Sequence, residues 1–150
     1  MSEYLIGFPA VILTSSLASS FTMSSVKSDW YKCIKPSFAP PNWVFPVVWT
    51  GLYTSLGFAL SMAIKDGDQL VINFFILNLF LNVLWCYLFF TTRQITTAFY
   101  TILILLITNF MIIYSTKNPT IKKLMVPYTA WITFATALTY SAMKNVDKCS

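Results

Sequence analysis

WYKCIKPSFAPPNWVFPVVWTGLYTSLGFALSMAI, residues 30–64, joins a proline- and aromatic-rich loop directly to an apolar run. Pro36, Pro40 and Pro41 fix φ, offer no backbone N–H and push the residues before them toward extended conformations, so the loop reads as stiff. Pro46 sits where a first helical turn tolerates proline, and no other proline follows until Pro119. The run after Pro46 is long enough to cross a bilayer, and Trp43, Trp49 and Tyr53 enter it from the loop end. A rigid cap feeding a membrane helix with an aromatic face is thus the unit around which the chain is arranged.

Composition extends that reading to all 150 residues. With 57% hydrophobic and only 10% charged residues, and a mean hydropathy of +0.67, the chain has too little polar surface to cover itself in water. A polytopic membrane protein is expected. The net charge of +5 does not imply a nucleic-acid partner, because the lysines lie in short segments between apolar runs rather than along one helix face. Cys33, Cys86 and Cys149 are far apart and there is no histidine, which argues against a metal site, a His-ligated haem or a disulfide framework.

The first apolar run, 4–26, lacks the basic start of a signal peptide, carries Glu3 instead, and reads as helix one. Its Ser15, Ser16, Ala18, Ser19, Ser20 and Thr22 are small enough to let helices approach closely in lipid. A loop over 27–42 leads to helix two, 43–64, and the polar turn 65–69 makes helices two and three antiparallel neighbours. Helix three, 70–90, places Asn78, Asn82, Trp85 and Phe89 on one face. Amides are costly against lipid, so they face the bundle interior, either bonding neighbouring helices or lining a polar cavity. A turn at 91–95 precedes helix four, 96–114, whose Thr97, Thr101 and Thr108 share a face and suit bonds to their own preceding carbonyls. A loop over 115–124 follows, and Pro127 opens helix five, ending near Met143.

The expected fold is all-α, one domain over 1–150, an integral membrane bundle of five transmembrane helices with the first loop capping a pocket. Each run is close to the roughly 20 residues that a bilayer requires. Lysines and arginines number four on the side of the N-terminus and six on the side of the first loop and C-terminus. That bias favours a cytoplasmic C-terminus and first loop. No span carries GxxxG, so no sharp dimerisation signal is present.

Several motifs together carry a resemblance. They are WY at Trp30 and Tyr31, KP at Lys35 and Pro36, PP-x-WVFP at 40–46 and VW-x-x-LY at 48–53. They continue with N-x-x-W-x-x-x-FF at 82–90, RQ at Arg93 and Gln94, and PY-x-AW-x-x-F at 127–134. In this order they resemble the translocator protein / tryptophan-rich sensory protein (TspO/MBR) family, also called the peripheral benzodiazepine receptor family. The resemblance implies a five-helix membrane bundle, commonly a homodimer. It also implies a pocket for porphyrin (tetrapyrrole), cholesterol or benzodiazepine-type ligands, with no cofactor required. The ligand-binding positions it implies are Tyr31, Trp49, Tyr53, Asn78, Asn82, Trp85, Trp131 and Leu138. Flat indole and phenol faces suit a flat macrocycle, and the asparagines would supply orienting hydrogen bonds.

The chain also departs from that pattern. Thr97 and Thr101 stand where many relatives carry a tryptophan and an acid, Thr139 follows Leu138 where many have asparagine, and Val83 stands where some bacterial members have glutamine. Leu138, Tyr140 and Lys144 fit the cholesterol-recognition pattern L-x-Y-x-x-x-K, a pattern that also arises wherever an aromatic anchor and a snorkelling lysine end a helix. Acid–base, nucleophilic or metal catalysis has no support in spans without histidine or charge. Light-dependent porphyrin breakdown, for which Trp49 and Trp131 match the tryptophans implicated in the family, is the enzymatic alternative, with porphyrin as substrate rather than ligand. A ligand-independent membrane scaffold is the third reading. The membrane is the mitochondrial outer membrane or another cellular membrane, and the sequence does not choose.

Overall fold

A computed structural model describes residues 5–23 and 25–149. Six α-helices run in the order α1 (Phe8–Thr22), α2 (Asp29–Ile34), α3 (Val44–Asp66), α4 (Gln69–Cys86), α5 (Ile95–Ser115) and α6 (Pro119–Asn145). The described residues contain no strand. The end of α4 widens into a π turn, Tyr87–Thr91, and a 3₁₀ turn, Val146–Lys148, follows α6.

The helix ends follow from local chemistry. Gly67, at φ 69°, takes the left-handed cap that stops α3, and the Asp68 carboxylate accepts from Val71 N at 3.3 Å to start α4. In α1, Val11, Thr14 and Ala18 form the buried stripe, at spacings of three and four. At the start of that helix, Gly7 lies so close to α3 that a Cβ there would stand 2.7 Å from Ser61 N. Gly7 N donates to Ser61 Oγ at 2.8 Å across the same contact.

α1 packs against α3 and α4, while α4, α5, α6 and α3 pack in sequence around a common core. Leu56, Phe75, Ile102, Met125 and Tyr128 are fully buried there. Large apolar side chains such as Ile12, Ile76, Phe80, Ile104 and Ile107 point outward instead, an exterior suited to lipid. Among the described residues, three helices are long and apolar enough to cross a membrane: α3, α4 with its π turn, and α5. α1 is apolar but only 15 residues long.

Several expectations from sequence are corrected. Helix one covers Phe8–Thr22 rather than 4–26, and residues 1–4 and 24 lie outside the described ones. The first loop is not wholly irregular, since Ser28 caps α2 by accepting from Tyr31 N at 3.2 Å, and Lys35, extended before Pro36, ends it. The last helix starts at Pro119, two turns before Pro127, which lies inside it. Asn118 and Pro119 are the true start signal: Asn118 Oδ1 accepts from Thr120 N at 2.9 Å, and Pro119 occupies the first turn.

The cysteines also depart from expectation. Cys33 and Cys149, 116 residues apart, form a disulfide with Cα atoms 5.8 Å apart. Distance along the chain was a poor guide, because α2 folds back onto the C-terminal end of α6. Asn145 Nδ2 donates to Ile34 O at 3.2 Å in the same place.

Candidate ligand pocket beneath the first loop

The residues that follow α1 and precede α3 are fastened at many points. The Trp30 ring lies 6.3 Å from Phe89, with the Arg93 guanidinium 4.7 Å from its centroid. The Tyr31 ring lies 5.9 Å from Phe90 and Phe38 lies 6.1 Å from Phe134, while Phe45, in the first turn of α3, lies 5.9 Å from Trp131. With the Cys33–Cys149 bond, these contacts hold the loop as a lid over the ends of α4 and α6. Tyr31 points inward from α2 and is 1% exposed. Burial pushes its phenol up to about 12, so it is neutral at any physiological pH.

Beneath the lid is a cavity of about 400 Å³. Its walls come from the end of α1, the lid, the start of α3, the end of α4 and Leu138 of α6. The aromatic lining comprises Tyr31, Trp43, Phe45, Trp49, Tyr53, Trp85 and Phe90. Trp49 stacks on Tyr53 with centroids 5.2 Å apart and planes 27° apart, as their spacing of four on α3 allows. The Trp85 indole N–H is buried and has no hydrogen-bond partner among the described residues.

The positions expected from sequence divide into two groups. Tyr31, Trp49, Tyr53, Trp85 and Leu138 line this cavity together. Asn78, Asn82 and Trp131 do not line it. Trp131 stands behind Trp49, edge-on at 6.2 Å, and its buried indole N–H also lacks a partner. The two asparagines are consumed by a network in the core. Tyr53 OH donates to Asn82 Oδ1 at 2.8 Å, Asn82 Nδ2 to Tyr128 OH at 3.2 Å, and Tyr128 OH to Asn78 Oδ1 at 2.8 Å. Asn78 Nδ2 donates to Thr108 Oγ1 at 2.8 Å and to Asn109 Oδ1. Four helices are joined by these bonds, and Tyr53 alone belongs to both network and cavity.

The sterol pattern is not gathered into one site. Leu138 faces the cavity, whereas Tyr140 is 44% exposed with Lys144 Nζ 4.5 Å from its ring centroid. Two residues along a helix turn a side chain by about 200°, which separates Leu138 from the other two. Thr101 and Thr108 do bond preceding carbonyls, Thr97 O at 2.9 Å and Leu105 O at 2.6 Å. Sequence reasoning missed Tyr128 and Asn109 as network members. Tyr128 stood inside a quoted motif, and Asn109 was a lone amide with no pattern around it.

An all-helical protein with membrane-length apolar helices and an aromatic cavity under a fastened loop belongs to a class of membrane proteins. The chain is a member of the TspO/MBR family, whose model matches residues 5–144. It is 36% identical over 137 residues to the tryptophan-rich protein TspO of Archaeoglobus fulgidus, covering 88% of this chain and 89% of that one. It is 33% identical over 120 residues to the tryptophan-rich sensory protein of Cereibacter sphaeroides, covering 77% and 76%. It is 29% identical over 125 residues to the translocator protein of Homo sapiens, covering 77% and 74%.

Proposed function

We propose that this chain is an integral membrane receptor or translocator-type protein of five spans that binds a flat, apolar molecule, a porphyrin or a sterol, in the cavity beneath its first loop. The observation that carries the proposal is the cavity itself: about 400 Å³, walled by Phe45 and the stacked Trp49 and Tyr53 of α3 and by Trp85 of α4, and roofed by Tyr31. Ligand sites are typically such concave, mostly apolar spaces with a few polar groups. α1 and α6 would complete the five spans, with membrane lipid around them and a homodimer as the assembly. The chain itself would need no metal or cofactor.

The test is a titration of the detergent-purified protein with protoporphyrin IX in the dark, read by quenching of tryptophan fluorescence, with cholesterol as competitor. Saturable quenching that weakens in Trp49→Ala is expected. A folded protein that binds neither ligand overturns the proposal and favours a scaffold.

A second reading has its own observation. Trp49 at the cavity wall and Trp131 behind it form a contiguous indole pair, which would let an excited porphyrin take an electron from Trp49, with the hole shared by Trp131, and pass that electron to dissolved dioxygen, the oxidant that the breakdown requires. Illumination of the complex should then consume porphyrin absorbance, and Trp49→Phe with Trp131→Phe should stop the loss. Equal loss in the double variant sinks this reading and leaves the receptor reading intact.

A further inference from the structure

The one covalent bond that closes the lid lies at the surface. Cys33 is an exposed residue of α2, Cys149 a half-buried one beyond α6, and their sulfurs are joined. A disulfide that solvent reaches is open to thiol–disulfide exchange, and exposed disulfides are the labile ones. The same end of the bundle carries Lys27, Lys32, Lys35, Arg93, Lys144 and Lys148, six of the ten lysines and arginines. Such a bias favours a cytoplasmic face, where a disulfide is a transient, redox-sensing bond rather than a permanent staple.

The element that the bond holds is short. α2 has six residues, too few to stand as a helix by itself. Once the bond is broken it is held by the Ser28 cap, by the burial of Tyr31 and Ile34, and by the Asn145 bond to Ile34 O. A surface segment held in this way opens locally at less cost than a packed core. Tyr31 of α2 lines the cavity, so displacing the helix uncovers the space beneath. That space is also lined by the remaining cysteine, Cys86, which is 4% exposed and outside the disulfide.

We infer that Cys33 and Cys149 form a reversible redox site that gates the cavity, shut as the disulfide and able to open as the two thiols. In the reducing direction, the thiolate of a dithiol reductant attacks Cys33 Sγ, breaks the bond between the sulfurs and expels Cys149 as a thiolate, which takes up a proton. The second thiol of the reductant then displaces Cys33, leaving two protein thiols and an oxidised reductant. In the oxidising direction, a hydroperoxide gives one oxygen to Cys33 as a sulfenic acid and leaves as an alcohol, and Cys149 then displaces water to restore the bond. The inference takes from the pocket reading the cavity as the site, and nothing about what fills it. Opening adds no contact to the free or the bound form, so a gate speeds entry and exit together and leaves the affinity within about twofold.

The test uses the full chain in detergent. A dithiol added without denaturant should free Cys33 and Cys149, read by alkylation and mass, and a hydroperoxide should re-form the bond. A bond that yields only when the protein unfolds, or that does not re-form, overturns the switch. Access is read without a ligand, by the rate at which a charged, water-soluble maleimide labels Cys86. The variant carrying Cys33→Ser and Cys149→Ser should label several-fold faster than the oxidised chain, and equal rates overturn the gate. Stopped-flow binding of protoporphyrin IX in the dark should show association and dissociation both faster in that variant. Faster dissociation alone overturns the gate, since the lid then acts as a ligand contact. Faster labelling of Cys86 in a protein that binds no porphyrin supports the gate and removes the pocket reading for that ligand.

Discussion

The amide network at the centre of the bundle and the aromatic cavity under the lid share one side chain, Tyr53, and differ in how their polar atoms are met, although the network too leaves one donor, Asn109 Nδ2, without a partner among the described residues. In the network, Asn78 and Asn82 have each amide oxygen and nitrogen engaged by Tyr53, Tyr128, Thr108 or Asn109. In and behind the cavity wall, the indole N–H groups of Trp85 and Trp131 have no partner among the described residues. Satisfied polar groups tie helices together; unsatisfied ones beside a void leave bonds for something else to make. The contrast separates residues that hold the bundle from residues that face a ligand, although both sets sit on the same helices.

Asn78→Leu tests the contrast most severely. It leaves the Tyr128 O–H without an acceptor and Asn109 Oδ1 without a donor, while Thr108 keeps its bond to Leu105 O, and each stranded group costs about 1–3 kcal/mol. Thermal unfolding in detergent should show a large loss of stability. Unchanged stability with lost ligand binding would erase the distinction. Trp49→Ala should do the reverse, weakening porphyrin binding roughly tenfold to a hundredfold, the range of a central aromatic contact, while the melting temperature stays close to that of the unmodified chain.

Smaller effects belong to the lid. Reduction of Cys33–Cys149, or Cys33→Ser with Cys149→Ser, should raise amide hydrogen exchange in α2 and speed ligand departure several-fold, with exchange in the α4–α6 core unchanged. Equal acceleration in both regions would mean that lid and core open together. The smallest effect concerns Tyr31. Its folded phenol titrates at about 12 against 10.0 ordinarily, so above pH 10 the unfolded lid releases a proton that the folded one keeps. Lid stability should therefore fall as pH rises from 10 toward 12, and Tyr31→Phe should remove that part of the fall, read as α2 protection from exchange.

Much of this organisation was legible in the chain. The apolar runs behind α3, α4 and α5 announce themselves by length, because a membrane asks for little else. The shared face of Asn78, Asn82 and Trp85 was visible from spacing alone, but helix period cannot say what lies opposite. The neighbour turned out to be Tyr128 and Thr108 for the amides and open space for the indole. Pro127 misled because a proline in a helix interior usually breaks it, whereas the Asn118–Pro119 pair, a proper cap and first turn, went unweighed. The disulfide was illegible for a plain reason: contacts 116 residues apart depend on how α2 folds back, which no local pattern records.

From Cys33 to Cys149 the chain is a closed covalent ring that takes in α3, α4, α5 and α6. A protease that cuts one connection in that ring, for instance after Arg93, opens a hoop without freeing a fragment, and the nick becomes visible only on a reducing gel. α1 stands outside the ring. A cut between Thr22 and Cys33 leaves it attached to α3 and α4 by packing and the Gly7–Ser61 hydrogen bond, with no covalent link, so the molecule has one detachable helix and a four-helix body that a single cut cannot take apart.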